Sequence, residues 1–337
     1  MNIIKRKFMT VILLAALLAS AVSGCAQEKD AAAAPFTIDS AHTLVVYTSH
    51  KAEVYSPIIR EFEQRTGIYV EVHAGGTIEM LNEIKNGADA DVMFGGGVET
   101  YQAYRDCIEP YRSAEQDHVD GKYASAEGLY TLFSDLPLVF VYNRKLVNEA
   151  DAPRAWNDFM KSQWSGRIAF ADPQNSGTSV TILLAMASIL TGSEQEVISR
   201  FSTQVDGQSV SSSGKVLSAV DSGSCLVGIT LEETARKWML THQDVGMIYP
   251  EDGTVSMPDG SFLVRGCAHP ENARKFIDFT VSEDVQRLLV EQMFRRSVRT
   301  DITGIPDQKE ISYADMDLDW AADQQKEVLK VWESVNP

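Results

Sequence analysis

Positive charge is scarce in this sequence, and cysteine scarcer still. Lys and Arg number 30 against 47 Asp and Glu, a formal net charge of −17 over 337 residues. So acidic a surface repels phosphodiester backbones and anionic headgroups, which excludes nucleic acid and a polybasic membrane contact as partners. It leaves room for a small anionic ligand, because backbone dipoles inside a cleft outweigh a distant surface field. The cysteines (Cys25, Cys107, Cys225 and Cys267) are too few and too scattered for a disulfide framework or a zinc site. One bridged pair among the last three would strand an odd thiol, so buried free cysteine is the simpler reading. Catalytic motifs are missing too. There is no Gly-x-Ser-x-Gly elbow, no His-Glu-x-x-His, and no Lys-Ser/Thr to turn glycines 95–97 into a phosphate loop. Nothing requires a cofactor, and long apolar runs stop at one.

That run lies near the start. Lys5-Arg6-Lys7 precede an apolar stretch from Phe8 to Val22, too short to span a bilayer stably, which reads as a secretory signal. Val22-Ser23-Gly24-Cys25 resembles a bacterial lipoprotein signal, in which residues 1–24 are removed and Cys25 is lipidated. The alternative is an ordinary cleaved signal with an incidental cysteine. The expectation is an extracytoplasmic protein, tied to the membrane by lipid and with no span of its own. Without the three basic residues of the leader the formal charge falls from −17 to −20. The remaining chain suits one large or two medium domains.

Residues 25–41 are polar, Ala-rich and aperiodic, and read as a tether. Order then begins sharply. Leu44–Thr48 is a strand, and Val54–Thr66 has helical spacing with Gly67 as its stop. Ile68–His73 is a strand, Ile78–Asn86 a helix, and Ala90–Phe94 a strand that runs into Gly95-Gly96-Gly97. Short loops in a β-α-β-α-β order imply parallel pairing with right-handed crossovers. A second α/β unit follows Leu136-Pro137. It comprises strand Leu138–Tyr142, helix Trp156–Lys161, strand Ile168–Ala171, helices Ser179–Leu190 and Val197–Thr203, and strand Leu226–Thr230 leading into Leu231–Leu240. Strand Ser261–Val264, helices Pro270–Val281 and Val285–Glu291, and an amphipathic helix Ala321–Val335 close the chain.

The segments LVVYTS (44–49), EFEQRTGIYVEV, GADADVMFGGG, DPQNSGTS and HPENARKFIDFTVSEDVQRLL resemble the periplasmic solute-binding proteins of ABC importers. The similarity is to the branch holding ferric-ion, phosphonate and sugar-phosphate binders, and it runs from about residue 42 to about residue 302. It implies an α/β, two-lobed periplasmic-binding-protein fold of type 2, each lobe a mainly parallel sheet flanked by helices, with a hinge between. Residues 42–136 plus 255–337 would make the N-terminal lobe with covering helices, and 137–254 the second lobe. It also implies a monomer that hands a captured solute to an ABC permease and its ATPase.

In such sheets ligands sit beyond the carboxyl ends of strands. Four segments qualify. Tyr47-Thr48-Ser49-His50-Lys51 offers hydroxyls, the His50 imidazole and the amides of the next helix, all suited to an anion. Gly75-Gly76-Thr77 allows close backbone approach, with Thr77 a natural N-cap. Asn175-Ser176-Gly177-Thr178-Ser179 is a hydroxyl-rich helix entry in the other lobe, and Ser211-Ser212-Ser213-Gly214-Lys215 is similar. Gly96 and Gly97 offer close amides, or a tight turn. The plain alternative for the serines and threonines is capping alone. Together with the resemblance, these residues look like a phosphate- or phosphonate-type cradle that needs no large basic cluster.

Gly228-Ile229-Thr230-Leu231-Glu232-Glu233 discriminates. The ferric binders carry two adjacent tyrosines near this place and a glutamate after the third strand, where this chain has Leu231-Glu232-Glu233 and Gly95-Gly96-Gly97. Glu232 and Glu233 resemble the acids that accept hydrogen bonds from sugar hydroxyls in sugar-phosphate binders. Helix N-terminal charge placement is their alternative. As iron ligands, Tyr47, His50 and Glu53 are set aside, since His-x-x-Glu near a helix start reads as solvated surface, and Arg295 and Arg296 read as surface ion pairing unless the segment returns to the lobe interface to meet the phosphate. The leading expectation is a receptor for a small anionic organic solute. A ferric-ion receptor and an extracellular hydrolase are the alternatives.

Overall fold

The computed structural model describes residues 40–304 and 310–336. The leader, Cys25 and residues 25–39 of the tether lie outside the described residues.

The chain opens with β1 (Thr43–Thr48), α1 (Ala52–Thr66), β2 (Tyr69–Ala74), α2 (Thr77–Lys85) and β3 (Val92–Gly97). The reason for each is local. Val54, Ile58, Ile59 and Phe62 form the buried stripe of α1, and Gly67, at φ 70°, ends it by donating its amide to Glu63. β1 pairs in parallel with both β2 and β3. It reads as a continuous apolar run because both sheet faces are covered. Leu44 and Val46 enter one core with Phe94, Phe62 and Phe276, while Val45 and Tyr47 enter another with Met93 and Phe262.

After the short β4 (Ile108–Glu109) come β5 (Thr131–Asp135) and β6 (Leu138–Asn143). β6 founds the second sheet with β7 (Ile168–Ala171), β8 (Ser209–Val210), β9 (Val227–Leu231) and β10 (Val245–Ile248), ordered β10-β6-β9-β7-β8. Its helices are α3 (Gly177–Ile189), α4 (Glu194–Val205), α5 (Val216–Asp221) and α6 (Glu232–Met239). β11 (Asp259–Val264), α7 (Pro270–Thr280), α8 (Glu283–Met293) and β12 (Arg296–Ser297) then return to the first sheet, ordered β12-β5-β11-β3-β1-β2 with β4 on β11. α9 (Leu318–Val335) ends the chain. The two crossings between sheets are stitched together. Leu138 donates its amide to Val255 at 3.0 Å, and Leu136 to the Ser256 hydroxyl at 2.9 Å.

Parallel pairing holds for β2-β1-β3 and for β8-β7-β9. Where the chain crosses between lobes the added strands run antiparallel: β11 on β3 and β5, and β6 on β9 and β10. Both sheets are therefore mixed. Three further details differ from the sequence reading. β5 and β10 were not foreseen, because their ladders are made by partners more than a hundred residues away. The helix read at Trp156–Lys161 forms as a short 3-10 helix, Trp156–Met160. The third concerns α9, which the sequence division placed with the first lobe. It seats Ala321, Val328, Val331 and Trp332 in the core of the second sheet, with Trp332 5.0 Å from the Phe170 ring. Cys107, Cys225 and Cys267 are free thiols.

Candidate functional site

A cavity of about 590 Å³ opens between the two sheets, where β1 and β3 end on one side and α3 begins on the other. From the first lobe Ser49, His50, Gly76, Thr77, Gly96 and Gly97 line it. From the second, Ser176, Gly177 and Thr178 do. Two helix N-termini thus meet one space. α2 presents Gly76 and Thr77, and α3 presents Gly177 and Thr178. The first amides of a helix have no intrahelical acceptor and carry the positive end of its dipole. At α3 the Ser176 hydroxyl caps the Ser179 amide at 3.2 Å, leaving the amides ahead of it for a guest.

Of the two readings of the glycine run, close amides or a tight turn, the turn is not what forms. β3 continues through Gly97, with Gly95 and Gly96 at φ +102° and +94°. A Cβ on Gly95 would fall 2.8 Å from the His50 ring, and one on Gly96 would fall 2.5 Å from Thr77. Bare backbone is what lets those side chains reach the cavity floor.

Other foreseen residues lie elsewhere. Thr48 is a buried post: its hydroxyl donates to Phe94 O at 2.7 Å and receives the His50 amide at 3.1 Å. Ser179 is 1 % exposed, its hydroxyl donating to Ser176. Ser213 lies outside the cavity lining, in a 3-10 turn before α5. Glu232 and Glu233 also lie outside it. Glu232 is 1 % exposed and bidentate with Arg296 (2.6 and 3.1 Å), with Arg236 at 2.9 Å and the Tyr249 hydroxyl as further donors. Burial raises its carboxyl, but the two guanidiniums outweigh that and hold it below the ordinary glutamate range. It is therefore a strut between lobes, since Arg296 belongs to β12 and Glu232 to α6. Glu233 pairs with Lys237 at 2.8 Å.

His50, Arg295 and Arg296 are not surface groups. His50 packs edge-on against Phe94 at 4.6 Å, and burial, then Arg295, push its imidazole well below the usual value, so it is neutral at pH 7. Arg295 is 7 % exposed and lines the cavity, donating to Asp259 at 2.7 Å and to the Ser134 hydroxyl at 3.0 Å. Burial lifts the Asp259 carboxyl, while Arg295 and Ser134 pull it back.

Sequence reading missed Glu99, Asp259 and Gln325, all of which line the cavity. Glu99 follows β3 with 8 % exposure, and burial pushes its carboxyl up to about 7 against the pull of a 3.2 Å bond from Gln325 of α9. Three atoms on the lining residues are buried with no hydrogen-bond partner: His50 Nε2 (3.7 Å from Asp259 Oδ2), Glu99 Oε2 and Arg295 Nε. Asp259 had a faint signal in its place at a strand start. Nothing local marks Glu99 or Gln325, which tertiary packing brings together across more than two hundred residues. Among the described residues no tyrosine lines the cavity, and no group of three or more His, Cys, Asp and Glu is arranged to hold a metal ion.

Comparison with known proteins places this geometry. Residues 84–321 match the family of bacterial extracellular solute-binding proteins. A putative 2-aminoethylphosphonate-binding periplasmic protein of Salmonella typhimurium is 24% identical over 253 residues, 72% of this chain and 73% of that protein. Among solved structures, the ferric binding protein from Campylobacter jejuni superposes with a TM-score of 0.80 at 16% identity, over 87% of this chain and 99% of that one. The periplasmic binding protein AfuA from Actinobacillus pleuropneumoniae, solved with fructose-6-phosphate, gives 0.75 at 23% identity, over 87% and 98%. These likenesses bear out the two-lobed fold and the resemblance read from the residues.

Proposed function

The chain belongs to the bacterial extracellular solute-binding protein family, and from that premise we propose that its solute is a small organic phosphate or phosphonate, enclosed between the lobes. It is a binding component of the ABC-importer type, not an enzyme, and such proteins work with a permease and an ATPase. The observation that carries the ligand reading is the convergence of two helix N-termini, α2 and α3, on one cavity from opposite lobes. Each end offers first-turn amides with no intrahelical acceptor and a hydroxyl (Thr77, Thr178) to an oxyanion, and such an arrangement binds phosphate without a cluster of lysines. The relatives named for a phosphonate and for fructose-6-phosphate agree with it.

A ferric-ion receptor is the second reading, favoured by the ferric neighbour and opposed by a lining without tyrosine. A thermal-shift screen separates them, using hexose phosphates, glycerol phosphates, phosphonates, inorganic phosphate and ferric citrate. A phosphate compound at a hundred times its Kd should stabilise the protein by about 2.7 kcal/mol. A shift with iron alone would overturn the reading.

Lipid anchoring at Cys25 is part of the same proposal. Cys25→Ser should move the protein from the membrane fraction to the soluble one, and a variant that stays membrane-bound would refute it.

A further inference from the structure

A buried acid in the same cavity has no match in what the helix ends bind, and its reading rests on the phosphate-type anion site described above. Glu99 lies against Gly97 so closely that a Cβ on Gly97 would fall 2.3 Å from Oε2. Its Oε1 accepts from Gln325 at 3.2 Å, while Oε2 has no protein partner. The other charged groups on the lining are accounted for. Asp259 is balanced by Arg295 at 2.7 Å, and the exposed Glu79 caps its own helix by accepting the Gly76 amide at 3.1 Å. His50 is neutral. That leaves Glu99 as the one buried acid on the lining with no group of opposite charge against it. A buried charge is costly without a partner of opposite sign, and rotation about the terminal side-chain bond is soft enough to turn Oε2 toward a guest.

We propose that Glu99, steadied by Gln325, receives a primary ammonium on the solute, so that the solute is a zwitterion with its oxyanion on the ends of α2 and α3. The amide of Gln325 keeps Oε1 occupied and leaves Oε2 for the cation. α9, which seats on the second lobe yet reaches a first-lobe residue, thereby takes part in solute choice.

The test is titration calorimetry at pH 8 with three probes of matched anion: ethyl phosphate, phosphoethanolamine and glycerol 3-phosphate. For the wild type, phosphoethanolamine should bind at least about tenfold tighter than either other probe, a difference of about 1.4 kcal/mol. Glu99→Gln should abolish that preference, and a far-ultraviolet circular dichroism spectrum matching the wild type certifies its fold. Glu99→Asp, with its charge kept and its reach shortened, should retain part of it. Glycerol 3-phosphate binding as tightly as phosphoethanolamine would overturn the ammonium assignment and leave the anion site standing. Unchanged phosphoethanolamine affinity in Glu99→Gln would overturn the role of Glu99. Binding of none of the three probes would remove the anion site, and this inference with it.

Discussion

Glu99→Gln should make the unliganded protein more stable at pH 8 and leave it nearly unchanged at pH 5. The native carboxyl is pushed from 4.5 up to about 7, chiefly by burial. In the unfolded chain it loses its proton near the ordinary value, so between 4.5 and 7 the native state holds a proton that the unfolded state has released. Stability from this group is therefore fully present below 4.5 and is lost as the pH rises through about 7. A shift of that size corresponds to about 3 kcal/mol. Glutamine is nearly isosteric with the protonated acid and does not titrate, so the advantage of the variant should grow by about that amount between pH 5 and 8. His50 titrates in the opposite sense. Its lowered native value means stability falls as the pH drops below 6.5, but it does so in both proteins and cancels in the difference. Urea denaturation followed by tryptophan fluorescence reads this as a separation of midpoints that widens with pH at constant slope. A difference between variant and wild type that stays flat from pH 5 to 8 would refute the burial argument.

Three other outcomes follow from the geometry. Thr178→Val and Ser49→Ala should each weaken glycerol 3-phosphate binding by about tenfold, the worth of one hydrogen bond to a charged group, with midpoints of unfolding little changed. Equal affinity in both variants would move the anion site elsewhere. Arg296→Ala should cost about 1–3 kcal/mol by removing the bidentate partner of Glu232, 1 % exposed, which keeps Arg236 and Tyr249; a loss below 1 kcal/mol, measured by the same denaturation, would show that these two suffice. Gly96→Ala should destabilise by about 1–3 kcal/mol, because φ +94° is strained for alanine and its Cβ would meet Thr77 at 2.5 Å. Calorimetry on the folded variant should also show weaker phosphate binding.

Much of the frame was legible in order along the chain. Strand runs such as Leu44–Thr48 and Ile168–Ala171, the stripe of α1 with its Gly67 stop, and Ser176 before α3 are local signals whose meaning does not depend on distant partners. The first lobe's glycines and the hydroxyls of both helix entries were legible as cavity residues for the same reason. They sit where strand ends and helix starts must fall. What failed were side chains whose surroundings come from elsewhere. Glu232 and Glu233 looked like ligand acceptors at a helix start, but Arg296, sixty-four residues on, claims Glu232. Arg295 looked like surface charge, but α8 and β12 fold it under the cavity against Asp259.

Backbone periodicity and end signals thus sufficed for two successive α/β units, since each strand or helix depends on residues within one or two turns, while the hinge and the cleft came with the family resemblance. The charges inside that cleft were settled by packing. Whether an acid or a base faces solvent, a partner or an empty wall depends on which distant segment covers it, and burial then sets its proton affinity. Glu99, ordinary in sequence and poised near neutrality once Gln325 and the cavity wall enclose it, is the clearest case.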